Sequence, residues 1–228
     1  ADNNTAVGME ALTANTTGAE NTAVGEGALI TNTTGTQNTA IGRKALELNT
    51  TGNYNIAVGQ RALDANTTAS YNTAIGKSAL GANTTGASNT ATGYYALEKN
   101  TTGASNVAVG GNALTANTTG SDNTTVGRYS LGSNTTGIRN EAFGNNTLYT
   151  NTTGGNNVAV GRQALYANTT GSYNIATGSN SLKTNTRRMN VRVIVHTKTQ
   201  SPGISEGTTF GALRKFAGGI SIPISSLS

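Results

Sequence analysis

The sequence predicts an all-β fold, a parallel β-solenoid (β-roll) of eleven 17-residue coils followed by a short non-repeat carboxy-terminal segment. Three observations predict it. From Asn4 the pattern N-T-A-V-G-x-x-A-L-x-x-N-T-T-G-x-x recurs eleven times, in frame and without insertion, and self-similarity at a fixed period marks a stacked repeat. Seventeen residues is too short for a helical hairpin and suits one turn of a solenoid. Finally, the 228 residues are only 35% hydrophobic and 5% aromatic, with no Trp, which is too few large apolar side chains for an ordinary globular core. Charge is only 11% and β-branched residues abound, so disorder is disfavoured as well.

Each copy opens on a five-residue stretch such as Asn21-Thr22-Ala23-Val24-Gly25, rich in Thr, Val and Ile and therefore a strand. Gly8 and its equivalents to Gly178 form an unbroken column, expected where the chain turns with positive φ or passes close to a neighbour. The pair after this Gly varies freely (Met-Glu, Arg-Lys, Tyr-Tyr), as solvent-facing positions do. Leu12 and its ten equivalents never vary and are assigned to the interior. The Asn4 and Asn15 columns are expected to stack as amide ladders, with Thr16 and its equivalents beside the second. Asn-Thr-Thr-Gly, ending on the Gly18 column, has type I turn chemistry; only Ala69 and Arg188 break that column. At about 4.8 Å per coil, eleven coils make a rod on the order of 50 Å long.

The Ala column (Ala6, Ala23, Ala40 and onward, broken only by Thr125) demands more. Its neighbours Thr5 and Val7 point to the opposite face of the strand. If those neighbours fill the interior, the Ala face should be free to vary, yet it stays small. The expectation is that both faces are packed, one of them against another chain or another wall of the coil.

The N-T-A-[VI]-G segments at 4–8, 21–25 and 38–42 resemble the head repeats of trimeric autotransporter adhesins, and also the repeats of phage and other surface fibres. The likeness covers residues 4–185, about four fifths of the chain. It implies a left-handed parallel β-roll, a homotrimer, and a rod that binds host surface, matrix or glycan from an extracellular, cell-surface or virion-surface position. The family's usual coil is shorter, so the Asn-Thr-Thr-Gly corner is an elaboration. Residues 186–228 carry neither a heptad stalk nor the strands of an anchor barrel.

Two domains follow: a solenoid over 1–185 and a basic segment over 186–228. The first holds nine Lys/Arg against nine Asp/Glu, so the chain's net +5 belongs to the second. Val191, Val193 and Val195 alternate with Arg192, Ile194 and His196 as a strand would, and Ile220, Ile222 and Ile224 around Pro223 suit an edge strand. A cap over the open sheet edge is the favoured reading, with subunit assembly next; nucleic acid is not expected as a partner. Ala1-Asp2-Asn3 enters the first coil without a capping sequence or initiator Met. That suggests removal of a leader or a longer array, and an end that could stack head to tail into a filament.

Catalytic chemistry is not expected. His196 is the only histidine, the carboxylates form no repeated pair, and no Asp column or phosphate loop occurs. The absence of Cys removes disulfides and thiolate metal sites, and no apolar run is long enough to span a membrane. No cofactor or metal is predicted. Two surface chemistries remain. Asn15, Asn32, Asn49, Asn66, Asn83, Asn100, Asn117, Asn134, Asn151 and Asn168 each begin N-T-T, a formal N-glycosylation acceptor. Tyr54, Tyr71, Tyr94, Tyr95, Tyr129 and Tyr173 occupy variable positions as candidate contacts, Tyr being enriched in recognition surfaces. The functional expectation is a rigid fibre or adhesin segment using multivalent contacts, with a self-assembling filament as the rival. Ice binding is the second alternative, weakened because Thr16 and Thr17 are adjacent and cannot both face one plane.

Overall fold

The computed structural model describes residues 2–185 and the backbone of residues 192–194. Three-residue strands recur at the repeat interval from β1 (Thr5–Val7) to β11 (Ile175–Thr177), and a twelfth, β12 (Arg192–Ile194), follows. All twelve form one parallel sheet in chain order. Each residue pairs with its equivalent 17 positions on: Thr5 with Thr22, Ala159 with Ala176, Ile175 with Arg192. The repeat sequence ends at Asn185, but its geometry runs one strand further. The other residues of 186–228, including His196 and the three isoleucines near Pro223, lie outside the described residues.

Strands stop after three residues because the Gly8 column turns them. Gly59 sits at φ 137°, and a Cβ on it would lie 2.6 Å from the carbonyl carbon of Gly76 in the next coil. No side chain fits there, and few L-residues adopt that φ.

Ala and Leu build the core. Ala91, Ala96 and Leu97 from one coil, and their counterparts in its neighbours, are fully buried. The Ala column therefore packs against another wall of the same coil, and the intermolecular version of that expectation is not needed to explain its size. It is the Thr5 and Val7 columns that face outward, reversing the expected polarity of the strand.

The Leu column departs from what residue type alone suggests. Every Leu in it lies in the left-handed region, from φ 47° at Leu182 to 57° at Leu12. That conformation costs a non-glycine residue roughly 1–2 kcal/mol. Burying the side chain returns about 1.5–3 kcal/mol. The same conformation lets the Leu29 N–H donate to the Ala45 carbonyl of the next coil at 3.0 Å.

Two Asn columns form polar pillars beside this core. Asn32 Nδ2 donates to Asn15 Oδ1 at 2.9 Å and to Gly35 O at 3.0 Å. In the other column Asn38 N and Nδ2 donate to Asn21 Oδ1 at 3.0 and 3.2 Å, and Nδ2 also reaches Gly52 O at 2.8 Å. The Asn-Thr-Thr-Gly corner is not the hydrogen-bonded type I turn that its residues suggest. Thr16 N, Thr17 N and Gly18 N all donate to Thr33 O, at 2.9, 3.1 and 3.3 Å, and Thr16 Oγ1 joins them at 2.9 Å. The corner is closed instead by the side chain of Asn15, whose Nδ2 reaches Gly18 O at 2.9 Å.

Candidate interaction surface

The pleat leaves alternate strand residues outside, and here those are the Thr5 and Val7 columns. They make a two-column face along the sheet, with Val7 57%, Ile56 43%, Ile75 42% and Phe143 37% exposed. All of its residues are Thr, Val, Ile or Phe except Glu141, the single charge on it. β-Branched side chains hold χ1 stiffly, so the face is regular as well as apolar.

A second surface comes from the variable pair after the Gly8 column and the residue after the Leu column. Tyr94 and Tyr95 pack edge to face at 4.1 Å between centroids. A hydrogen bond from Tyr95 is the main cause that raises the Tyr94 phenol above its ordinary pKa. Tyr129 meets Tyr149 at 6.2 Å and 87°, and Tyr149 stacks on Tyr166 at 5.4 Å. Arg128 lies 4.6 Å from the Tyr129 ring centroid, and Lys183 Nζ lies 5.9 Å from that of Tyr166. Tyr149 and Tyr166 were not among the sequence candidates. Their signal was available, since both occupy the position after Leu, which holds Glu, Asp, Thr or Gly in other coils.

Of the remaining candidates, Tyr54 and Tyr71 are equivalents in successive coils and stack at 5.0 Å with an interplanar angle of 4°. Tyr173, in that same column, is exposed and has no ring partner among the described residues. A shallow notch opens where Gly81 lacks a side chain, lined by Asp64 and Glu98 with Arg61 and Lys99. Burial raises the Asp64 pKa, with Arg61 opposing the shift and Glu47 adding to it.

The glycosylation expectation is corrected. Asn32, Asn49, Asn66, Asn83, Asn100, Asn117, Asn134, Asn151 and Asn168 are fully buried. Asn100 Nδ2 already donates to Asn83 Oδ1 at 2.8 Å and Gly103 O at 2.9 Å. Asn15 is half-buried with its amide committed to Gly18. A glycan on Nδ2 would remove a ladder bond and require space that the coil does not have.

Among the described residues no group of three or more His, Cys, Asp or Glu is placed to hold a metal, and no helix is long and apolar enough to cross a membrane. Comparison of the chain with protein-family models, curated proteins and solved structures returns no match.

Proposed function

We propose that this chain is a structural segment of an extracellular fibre or adhesin. Copies would associate through the Thr5/Val7 face and display the variable columns for multivalent attachment to host surface, matrix or glycan. The observation that carries this reading is the contrast between faces. One is apolar, regular and nearly free of charge over eleven strands, whereas the variable pair changes in size, charge and aromaticity from coil to coil. Exposed apolar patches of this extent mark interaction surfaces, and repeated weak contacts on a rigid support gain avidity by linkage. A homotrimer on a cell or virion surface, as in the adhesin heads and phage fibres that the sequence resembles, fits this division. Light scattering with electron microscopy of purified protein tests it. Discrete short rods of trimeric mass are expected, micrometre threads point to the filament reading, and a stable monomer overturns self-association.

Ice binding is a second reading that the same face supports. Thr16 and its equivalents spend their hydroxyls on carbonyls of the next coil, so that column is unavailable to ice. The Thr5 and Val7 columns instead present methyl and hydroxyl groups in a fixed lattice, about 4.8 Å between rungs. Thermal hysteresis in purified protein is the expected result of this reading, and its absence dismisses it.

A further inference from the structure

Charge is not spread evenly along the solenoid. Residues 1–71 hold three Lys/Arg against six Asp/Glu, and residues 72–185 hold six against three, so a balanced repeat region divides into −3 and +3. In the acidic part the cations are engaged: Arg43 lies 3.8 Å from Glu26 and Lys44 lies 2.7 Å from Glu47. Further on, Lys77, Arg128 and Arg162 share one exposed column and have no ion-pair partner among the described residues.

The geometry points to an extended acidic polysaccharide lying along this column, over the coils from Lys77 to Lys183. The inference rests on the attachment reading above and names its ligand class. Three features of the stripe support it. Guanidinium and ammonium groups bind carboxylate or sulfate through charge-assisted hydrogen bonds. Between the cations stand Asn112, Asn145, Asn146, Gln163 and Asn180, amides that both donate and accept and so suit a hydroxyl-rich chain. The coil step of about 4.8 Å is close to the advance per sugar of an extended polysaccharide, so successive residues meet equivalent positions. No deep pocket is needed, because linked weak contacts supply the affinity.

The aromatic groups favour sugar over single-stranded nucleic acid. Nucleic-acid platforms offer open ring faces to bases. Here Tyr149 and Tyr166 stack on each other and Tyr129 abuts Tyr149, which leaves edges and hydroxyls as the accessible parts. The cations over the Tyr129 and Tyr166 rings occupy further face area.

The test is calorimetric titration of the full chain with size-defined polygalacturonate and heparin oligosaccharides, with dextran and single-stranded DNA as comparators, at one salt concentration. Affinity for an acidic saccharide should rise with length to roughly the span of seven coils, and exceed that for dextran or DNA at least tenfold. The uronate and sulfate arms then identify which anionic group is preferred. An Arg128→Gln/Arg162→Gln double variant should lose at least tenfold while keeping its circular-dichroism spectrum and melting temperature. No binding of either acidic saccharide, equal binding of DNA, or an unaffected double variant would overturn the inference. If neutral glycans or matrix proteins bind this variant as well as the parent, the attachment reading stands without it; if no surface of any kind binds, both fail.

Discussion

At the scale of single residues, the coil distinguishes groups that complete a column from those that disturb it. Thr125 is the only polar residue in the Ala column and is fully buried, with no hydrogen-bond partner for its hydroxyl among the described residues. Leaving such a group unpaired costs about 1–3 kcal/mol, so Thr125→Ala should raise stability by about 1 kcal/mol in chemical denaturation. Ser78 sits at φ 54° in the column where Gly27 adopts φ 66°. The left-handed penalty of about 1–2 kcal/mol exceeds the entropic cost of glycine, about 0.5–1 kcal/mol. Ser78→Gly should therefore be neutral to stabilising, where glycine ordinarily weakens a protein, and a clear fall in melting temperature would contradict the assigned conformation. Asp64 supplies a pH signature. Because burial raises its folded pKa, its contribution is fully present below the ordinary carboxylate pKa and is lost as pH rises through the folded value. Asp64→Asn should accordingly raise the melting temperature at neutral pH relative to the parent, and this advantage should shrink as the pH falls into the carboxylate range.

At the scale of one coil, stability depends on what the neighbouring coil places within reach. The Gly18 column is small because of packing. A Cβ on Gly103 would lie 2.3 Å from Gly120 O and 2.5 Å from Asn100 Oδ1. Gly103→Ala should destabilise by about 1–3 kcal/mol, as overpacking does, with the melting curve as readout. The chain already contains one such disturbance. Gly103 N, Thr101 N and Thr102 N converge on Thr118 O, whereas in the Ala69 coil only Thr67 N has a bond to Thr84 O. The strand, the Gly8 turn and both amide ladders were legible in the sequence because each is imposed by an invariant residue type. The strand's polarity was not, because Ala is compatible with either face and the deciding wall is formed by Ala and Leu columns several residues away. The left-handed Leu was also hidden, since no propensity points to it; the backbone bond to the next coil and full burial make it tolerable. The N-T-T tripeptide read as a glycan acceptor because a local motif carries no information about burial, and here the Asn is a structural pillar.

At the scale of the whole molecule, the regularity that orders the chain also generates its surfaces. A column invariant at one position aligns the residues beside it, so variation at the adjacent pair becomes a stripe, and β-branched alternation becomes an apolar face. The aromatic groups were partly legible: Tyr54, Tyr71, Tyr94 and Tyr95 fall in variable columns, but the stack of Tyr149 on Tyr166 needs the coil spacing to become visible. Val58→Lys with Ile75→Lys places two charges on the outer face without touching the buried columns. This pair should change stability by less than about 1 kcal/mol, as exposed substitutions do, and should convert the assembly to monomer in light scattering. Retention of the parental mass would assign self-association to another surface.

The central claim is that each 17 residues closes one coil and stacks in register on the last. Its most direct test is a pulsed electron–electron distance between spin labels at Gln60 and Ser179, exposed equivalents seven coils apart in a chain with no native Cys. Labelled protein would be diluted with unlabelled chains to isolate the intramolecular distance. A single narrow distribution centred near 34 Å, seven steps of about 4.8 Å, is the predicted result; a broad distribution, or a centre displaced by more than two coil steps, would contradict it.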